Sequence, residues 1–258
     1  MSDYQNIFNL SDCTAVVAGG ASGLGLEMSK ALLSHGCKVA IVGRTEERVS
    51  IVSEKLSQEY NNNCLGVVND ISNEKSIDDI VEVVSNTYNG KLNIAINSAG
   101  INVRNPITKV TLSEWEEIQK VNLTGAFLFA KGLFPLLLDS DFARLINITS
   151  IFSSRSFAGR VSYASSKGGL LQLTRTLAIE WADYSITVNS ISPGPFLTDL
   201  NKPLLENPEQ YNKFCENIPL GRFGEPKEII SACLFLCSQH SSYVTGANIL
   251  VDGGWTVK

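Results

Sequence analysis

The chain has 258 residues, of which 44% are hydrophobic and 18% are charged, and its formal net charge is −5. This length and composition suit one α/β domain or two small ones, with enough apolar residues for a core. Because the charge is negative and no basic run occurs, the sequence gives no support for nucleic-acid binding or for a helix on a membrane surface.

Three further features bear on location. The N-terminus, "MSDYQNIFNLSDC", lacks a basic start and an apolar segment, so we expect no signal peptide. The longest apolar stretch, residues 126–138, is interrupted by Lys131 and Pro135 and is too short to span a bilayer. The six cysteines form no CxxC pair and are predicted to be buried, reduced thiols, as in a cytoplasmic protein. No metal site is predicted.

Short β-branched runs alternate with helical patterns along the whole chain. In chain order, strands are predicted at "TAVVAGG" (14–20), "KVAIVG" (38–43), "CLGVVND" (64–70), "LNIAINSAG" (92–100), "ARLINITS" (143–150), "ITVNSISPG" (186–194) and "ANILVDGG" (247–254). Helices are predicted between them at 24–36, 46–60, 73–88, 111–138, 161–183 and 226–238, and a polar loop with helical pieces reaches 219.

The strands are apolar on both sides, which is typical of a parallel sheet covered on both faces. The alternation therefore predicts an α/β protein: one Rossmann-type domain over residues 1–258, with a doubly wound parallel sheet of about seven strands and helices on both faces. Ligands bind such sheets beyond the carboxyl ends of the strands. The unusual residues collect at those ends: Gly19–Gly25, Gly43–Arg44, Asn69–Asp70, Asn97–Gly100, Ser150 and Pro193–Gly194.

The turn after the first strand is rich in glycine. "AGGASGLG" (18–25) has four glycines in seven residues, with the spacing G-x3-G-x-G. Glycine allows a sharp turn and close approach of the backbone to a ligand, and the free N–H groups of the following helix attract a pyrophosphate. A merely tight strand–helix turn is the alternative, but the pattern favours nucleotide binding.

The end of the second strand bears on which nucleotide binds. An acid about 20 residues past the glycines holds the ribose 2′-OH of NAD, whereas an arginine suits the 2′-phosphate of NADP. "IVGRTEE" places Arg44 there, and Glu46 and Glu47 fall in the first turn of a helix, where the dipole explains them. We therefore predict that NADP(H) is preferred and NAD(H) possible, although Arg44 as a solvated loop charge is the alternative and Ser22, not a basic residue, precedes Gly23.

"SYASSKGG" (162–169) raises a catalytic possibility. Tyr163 and Lys167 are four residues apart, so they share one face of the predicted helix. A lysine ammonium and a nicotinamide cation would favour the phenolate, and Tyr163 would then exchange a proton with the substrate oxygen. The alternative is an ordinary pair of helix residues, which has the same spacing.

A serine is predicted to hold the substrate oxygen. "NITS" ends the fifth strand and places the Ser150 hydroxyl at the cleft, and Ser153, Ser154 and Ser156 are the other candidates for this role.

Together these motifs resemble the short-chain dehydrogenase/reductase family over essentially the full chain. The matching segments are "AGGASGLG", "ND" at 69–70, "NSAG" at 97–100, "VNLTGAF" at 121–127, "NITS" at 147–150, "YASSK" at 163–167, "SPGPFLT" at 192–198 and "VTGANILVDGG" at 244–254. The resemblance implies catalysis by Ser150, Tyr163 and Lys167. Asn122 would support a proton relay, and the family's serine-to-tyrosine spacing selects Ser150.

The resemblance also implies a cofactor site. Asp70 would contact the adenine, Asn97 would shape the wall beside the cofactor, Lys167 would bind the nicotinamide ribose and Thr198 would hold the carboxamide, with Ile191 nearby. The remaining cofactor-binding residues implied are Gly19, Ala21, Ser22, Gly23, Leu24, Gly25, Arg44, Ile71, Ala99, Gly100, Tyr163, Pro193, Gly194 and Phe196. Two positions depart from the family: Ala18 replaces a usual Thr, and Ser98 a usual second Asn.

The substrate side is less specific. The segment at about 195–219 is expected to form a lid, with a surface helical insertion as the alternative. "GINVR" and "PFLTDLNKPLL" look most like members of the gluconate 5-dehydrogenase type, so Arg104 is predicted to bind a carboxylate or hydroxyl of a sugar-like substrate, beside Ser150 and Tyr163. A solvated loop charge is the alternative for Arg104.

The predicted function is an NAD(P)-dependent oxidoreductase that interconverts a ketone and a secondary alcohol by hydride transfer. The substrate expected is a sugar acid or polyol. The alternatives are a reductase of a non-sugar carbonyl or 3-oxoacyl substrate, and a non-catalytic nucleotide-binding regulator. The resemblance further implies hydride transfer from the B face and a homotetramer built on the helices at 111–138 and 161–183, with no nucleic-acid or membrane partner.

Overall fold

The computed structural model describes residues 6–258, apart from the side chain of Pro203. The first five residues of the segment on which the signal-peptide expectation rests lie outside this range. Seven strands form one sheet: β1 (Thr14–Ala18), β2 (Lys38–Gly43), β3 (Cys64–Val68), β4 (Ile94–Asn97), β5 (Ala143–Ile148), β6 (Ile186–Pro193) and β7 (Asn248–Val251). Their order across the sheet is β3-β2-β1-β4-β5-β6-β7 and every neighbouring pair is parallel.

The helices connect successive strands, as the alternating sequence pattern requires. They are α1 (Gly23–Ser34), α2 (Glu46–Glu59), α3 (Glu74–Tyr88), α4 (Leu112–Gln119), α5 (Gly125–Leu138), α6 (Val161–Glu180), α7 (Lys202–Leu205), α8 (Pro208–Cys215) and α9 (Ile230–Cys237). The chain passes from β1 through β2 to β3 on one side and then returns to β4 beside β1. This reversal confirms the predicted doubly wound Rossmann fold and opens a crevice where the two halves diverge.

The sheet separates two apolar layers because side chains along a strand point alternately to opposite faces. Val17 of β1 packs in one layer with Met28 of α1 and Cys233 of α9. Its neighbour Val16 packs in the other layer with Phe129 of α5. All six cysteines carry free thiols; five are buried and Cys215 is half-buried.

The predicted helix at 111–138 is interrupted. Helix α4 begins after Thr111, whose Oγ1 accepts from the backbone N–H of Glu114 while Glu114 accepts from the N–H of Thr111. A π-helical turn, Lys120–Thr124, then joins α4 to α5. This turn was not predicted from the sequence. A π-helical turn adds one residue to a helix, and such turns are frequent at functional sites.

The combined helical segment Leu112–Leu138 is long and apolar enough to cross a membrane, with a window of mean hydropathy 1.6, but 56% of that window is buried inside the fold. Pro135 lies within α5 without ending it. The segment is therefore longer than the apolar stretch considered in the sequence, and its packing in one apolar layer with the strands and α3 is typical of a core helix.

Candidate active site

A cavity of about 340 Å³ lies at the carboxyl ends of the strands. It is lined by most of the predicted site residues: Gly19, Ala21, Ser22, Gly23, Leu24, Arg44, Asp70, Ile71, Ala99, Gly100, Ser150, Tyr163, Lys167, Pro193, Gly194, Phe196 and Thr198. Five of the residues named from the sequence lie outside the lining, namely Gly25, Asn97, Arg104, Asn122 and Ile191. The separate motifs of the sequence therefore converge on one cleft.

The glycine turn forms the first wall of this cavity. Gly19 has φ +74°, and a Cβ there would lie 3.0 Å from the backbone nitrogen of Ala99. Gly25 serves packing rather than lining, since its Cβ would lie 2.2 Å from the carbonyl oxygen of Gly19. Ser22, the N-cap of α1, makes no side-chain capping hydrogen bond. The N–H groups of the first helical turn are thus left for a ligand, and these residues fit a dinucleotide pyrophosphate.

The second wall follows β2 and β3. Asp70 accepts hydrogen bonds from the backbone and hydroxyl of Ser72, at 2.9 and 2.8 Å. Its other oxygen lies 3.9 Å from Nη1 of Arg44, whose side chain is about half exposed. Arg48, in the first turn of α2, also lines the cavity, although it was not predicted from the sequence. Two arginines therefore lie at the position where the 2′ substituent of a bound ribose is read.

Ser150 and Tyr163 meet at the inner end of the cavity. Ser150 is buried, and its Oγ accepts from the backbone N–H of Phe152 at 3.2 Å, so its own hydroxyl hydrogen can donate to Tyr163 or to a substrate oxygen. Ser153 instead accepts from the N–H of Ser150. Of the four serines considered in the sequence, only Ser150 is among the lining residues, as its position directly after β5 requires.

Burial decides the ionisation of the phenol in this structure. It raises the pKa of Tyr163 above its ordinary value because a desolvated phenolate is unfavourable. Interaction with the Ser150 hydroxyl and the positive charges of Arg160 and Arg104 act in the opposite direction. The two arginines supply positive charge that the sequence analysis had assigned to the lysine and the cofactor.

Lys167 is buried one helical turn from Tyr163. Its Nζ donates to the carbonyl oxygen of Ile148 at 2.7 Å and lies 5.9 Å from the centre of the Tyr163 ring. Burial lowers the pKa of Lys167 to about 8, because the ammonium has lost its water. This amine is therefore close to titrating in the neutral range.

Asn122 lies behind the cavity, inside the π-helical turn. Its Oδ1 accepts from the backbone N–H of Ile101 at 2.8 Å, and its Nδ2 donates to the carbonyl of Ile101 and to Oγ of Ser166. Asn122 Oδ1 and Lys167 Nζ each lie 3.3 Å from the point that a Cβ on Gly100 would occupy. Glycine at this position therefore keeps the space between the amide and the amine open.

Comparison with known proteins agrees with this geometry. The family model described as "Enoyl-(Acyl carrier protein) reductase" matches residues 19–256. Similar proteins include the 3-oxoacyl-(acyl-carrier-protein) reductase FabG of Aquifex aeolicus, 37% identical over 93% of this chain and 96% of that protein. Another is the 5-keto-D-gluconate 5-reductase of Escherichia coli K12, 32% identical over 98% of this chain and 99% of its own.

A solved structure extends the comparison. The gluconate 5-dehydrogenase of Burkholderia cenocepacia, in complex with NADP and tartrate, has a TM-score of 0.94 and 28% identity, covering 99% of both chains. The chain belongs to the short-chain dehydrogenase/reductase family. It is an oxidoreductase that interconverts a carbonyl group and an alcohol with a nicotinamide cofactor, as the sequence predicted.

Two predicted residues of this dehydrogenase/reductase contact other parts of the site instead of lining it. Asn97 is buried at the end of β4 and donates to Asn147 at 3.5 Å. Arg104 donates from Nη2 to the carbonyl of Leu200 at 3.1 Å and to Oδ1 of Asn201 at 2.9 Å. Arg104 thus connects the loop after β4 with the segment predicted as a lid, and its role toward substrate stays a prediction.

The substrate end of the dehydrogenase/reductase site contains a residue that sequence reasoning missed. Arg160 immediately precedes α6 and lines the cavity, although only 5% of it is exposed. Its guanidinium lies 5.9 Å from the ring centre of Phe152. Burial lowers the pKa of Arg160 to about 10, with a further lowering from Arg104. The position of Arg160 three residues before Tyr163 was the one sequence feature that could have indicated a role in the site. It was not used, because a lone arginine in a polar loop usually points to solvent.

Proposed function

We propose that this oxidoreductase prefers NADP(H) and acts on a sugar acid or polyol, with Tyr163 as its acid/base. The observation that carries the mechanism is the meeting of Ser150, Tyr163 and Lys167 in the same cavity as the glycine turn. A nicotinamide cofactor held by that turn would supply or accept the hydride. The protein's own groups then have to hold the substrate oxygen and move its proton.

Ser150 and Tyr163 are the groups proposed to touch that oxygen. The free hydroxyl hydrogen of Ser150 donates to it, so that negative charge developing on the oxygen is stabilised. Tyr163 gives the proton in the reducing direction and takes it in the oxidising direction. The positive charges of Arg160 and Arg104 stabilise the phenolate that remains after the proton has left.

Lys167 and Asn122 are proposed to support this proton transfer from behind. Lys167 donates to Ile148 with one hydrogen, which leaves two for the nicotinamide ribose and for a relay. Asn122 keeps the π-helical turn joined to Ile101, and the open space at Gly100 lies between its Oδ1 and the lysine amine. A water in that space would link Lys167 to solvent.

The test of the mechanism is Tyr163→Phe. This substitution removes only the phenolic oxygen, so kcat is expected to fall by at least about a hundredfold while NADPH binding stays as in the wild type. Steady-state rates and titration of cofactor fluorescence measure the two effects. The control is Tyr243→Phe, because Tyr243 is fully exposed and is not among the lining residues. Full residual activity in Tyr163→Phe would refute the assignment.

Arg44 and Arg48 support the proposed cofactor preference. Both line the cavity beyond β2, where a 2′-phosphate would bring its negative charge. Arg44→Ala is expected to lower kcat/KM for NADPH about tenfold or more and to affect NADH much less, because only NADPH loses a charge-assisted contact. Lys55→Ala on exposed α2 surface is the matched control. A preference for NADH in the wild type that persists in Arg44→Ala would contradict the proposal.

The substrate class is supported by the named relatives and by the charge of the site. The relatives named for gluconate or 5-keto-D-gluconate match nearly the whole chain. The 3-oxoacyl reductase of A. aeolicus, at 37% identity, keeps the alternative substrate class open to test. A screen of cofactor oxidation and reduction over sugar acids, polyols, simple ketones and a 3-oxoacyl thioester separates these classes. Turnover of the thioester alone would overturn the sugar-acid proposal.

Residues 195–219 are proposed to form a lid over the substrate. They carry α7 and α8, and their apolar side chains form a small cluster of their own with Phe223: Leu204, Phe214 and Ile218. Leu204 and Phe214 also line the cavity. We further propose that the protein is cytoplasmic, in keeping with its free thiols, and that it assembles as a homotetramer.

A further inference from the structure

Arg160 is a buried cation of the site, and two of its guanidinium nitrogens have no hydrogen-bond partner in the part of the chain that the structure describes. It is 5% exposed, and neither its Nε nor its Nη1 has a hydrogen-bond partner among the described residues. The charged or ionisable groups that act on it are Arg104, a second cation, and Tyr163. Burying an unpaired guanidinium is unfavourable, so the free protein holds this charge at a cost.

The other buried arginine of the chain shows how the fold treats a structural guanidinium. Arg144 is 1% exposed, and its Nε, Nη1 and Nη2 donate to the backbone carbonyls of Ala143, Ser238 and Gln239, at 2.9 to 3.2 Å. No such set of acceptors surrounds Nε and Nη1 of Arg160. The missing acceptors are therefore expected to come from a molecule that enters the cavity.

The surroundings of Arg160 favour a small anion. Phe152 lies beside the guanidinium, and Phe214 forms another part of the cavity lining. These aromatic side chains exclude water and strengthen the attraction between a cation and an anion. Arg104 differs from Arg160 because its Nη2 is already engaged by Leu200 and Asn201, although its Nε also lacks a partner among the described residues.

We propose that Arg160 binds the carboxylate of the substrate and makes the enzyme select acids over neutral polyols. This inference rests on the proposed function and assigns its acid selectivity to a residue that the glycine turn and the serine–tyrosine–lysine set do not include. A guanidinium presents parallel N–H donors that match the two oxygens of a carboxylate. Arg160 and Tyr163 are three residues apart at the start of α6, so both reach one small substrate. A neutral polyol would leave the guanidinium unpaired.

The experiment compares Arg160→Gln, Arg160→Lys and the control Arg155→Gln. Arg155 carries the same charge on the same loop, but it is exposed and does not line the cavity. For each variant, kcat/KM is measured with NADP⁺ for gluconate and for the neutral polyol sorbitol. Calorimetry with the NADP⁺-loaded protein measures the Kd of tartrate, which reports anion binding without turnover.

In Arg160→Gln, the ratio of kcat/KM for gluconate over sorbitol is expected to fall at least tenfold, mainly through KM for gluconate. The Kd of tartrate should rise by a similar factor. For Arg160→Lys, both the ratio and the Kd of tartrate should lie between the values of the wild type and of Arg160→Gln, because lysine keeps the charge but not the paired donors. Arg155→Gln should match the wild type. The ratio removes any effect that the lost charge has on Tyr163, since both substrates use the same acid/base.

An unchanged ratio together with an unchanged tartrate Kd would overturn the role of Arg160. So would a wild-type holoenzyme that binds neither gluconate nor tartrate. If Arg160→Gln does not fold, as judged by its Tm, the same comparison is made with Arg160→Lys, where an unchanged ratio is again the contrary result. A wild type that binds tartrate through Arg160 but turns over no acid would instead contradict the proposed function alone.

Discussion

At the scale of single residues, the site contains buried ionisable groups, and burial disfavours the charged form of each. Burial raises the pKa of Tyr163 and lowers those of Lys167 and Arg160. These side chains surround one cavity, and none of them appears in an ion pair among the described residues. Groups held in this way are ready to exchange protons or to take a charged ligand, at the expense of stability.

Lys167→Met tests this conflict between stability and chemistry. The folded pKa of about 8 lies below the ordinary value of 10.5, so the folded state disfavours the ammonium. A shift of this size corresponds to about 3 kcal/mol, and the lost bond to Ile148 offsets about 1 kcal/mol. We expect the variant to gain about 2 kcal/mol in free energy of unfolding at pH 7, while losing turnover.

The effect of Lys167 on the free energy of unfolding depends on pH. Below about pH 8, both the folded and the unfolded protein hold the Lys167 proton, and the wild type bears the full cost of burying the ammonium. Between about pH 8 and 10.5, only the unfolded protein holds this proton, so the stability of the wild type rises with pH. The advantage of Lys167→Met should therefore shrink across that interval. Urea unfolding at pH 7, 9 and 10.5, at equal protein concentration and with Lys55→Met as an exposed control, measures it. A constant difference at all three pH values would contradict the lowered pKa.

Sequence patterns identified those site residues whose role depends on position along an element. Ser150 directly follows β5, and Tyr163 and Lys167 share a helix face, so local periodicity made all three of them candidates. The family's serine-to-tyrosine spacing was still needed to select Ser150 among its neighbouring serines. Arg160 was missed because its significance comes from what it lacks, a partner, and only packing shows that. Asn122 came from family resemblance alone, since the π-helical turn around it has no local sequence signal.

At the scale of elements, Arg104 joins residues 195–219, the proposed lid, to the loop after β4. Its bonds to Leu200 and Asn201 cross from one segment to the other. Asn201 in turn donates to the carbonyl of Phe196 at 3.0 Å, at the start of the lid. This chain of contacts ties the position of the lid to the loop that carries Gly100 and Ile101, and hence to Asn122.

Arg104→Ala and Asn201→Ala are expected to act on the same contact. Each should raise KM for all active substrates several-fold, because residues 195–219, the proposed lid, lose a charge-assisted hydrogen bond to the loop after β4. The double variant should be little worse than either single variant, since non-additivity marks a shared interaction. Steady-state kinetics on the four proteins completes the cycle.

Lys202→Ala is the control for this cycle, because Lys202 lies in the same segment but pairs only with exposed Glu206. The result that would exclude the tether is a rise in KM for acids alone in Arg104→Ala, with no effect of Asn201→Ala. That pattern would support the direct contact with a carboxylate that the sequence predicted for Arg104. Unchanged KM values in every variant would remove both roles.

At the scale of the whole molecule, the parallel sheet follows from strand–helix alternation, because each strand–helix–strand unit crosses over in one hand. The strand order was not predicted from the sequence and comes from the structure. The predicted helix at 226–238 is less regular, since a short 3₁₀ turn, Pro226–Ile229, precedes α9. The sequence pattern does not predict assembly in the same way.

Hydrophobic periodicity predicts the face of a helix that packs on its own sheet. An apolar residue on the exposed face of α5 or α6 is not explained by packing within the chain.

Two such residues test the proposed homotetramer. Phe127 of α5 is 47% exposed and Ile179 of α6 is 79% exposed. If these helices form the larger interface, Phe127→Asp and Ile179→Asp should each place an unpaired carboxylate there twice, because a two-fold interface repeats every contact. Sedimentation should then show dimers or monomers in place of tetramers. The activity of both variants should also fall, since α6 carries Tyr163 and Lys167.

Ile51→Asp on α2 is the matched control, because Ile51 is 59% exposed, and this variant should sediment as the wild type. If all three variants sediment as the wild type, these helices do not form the interface.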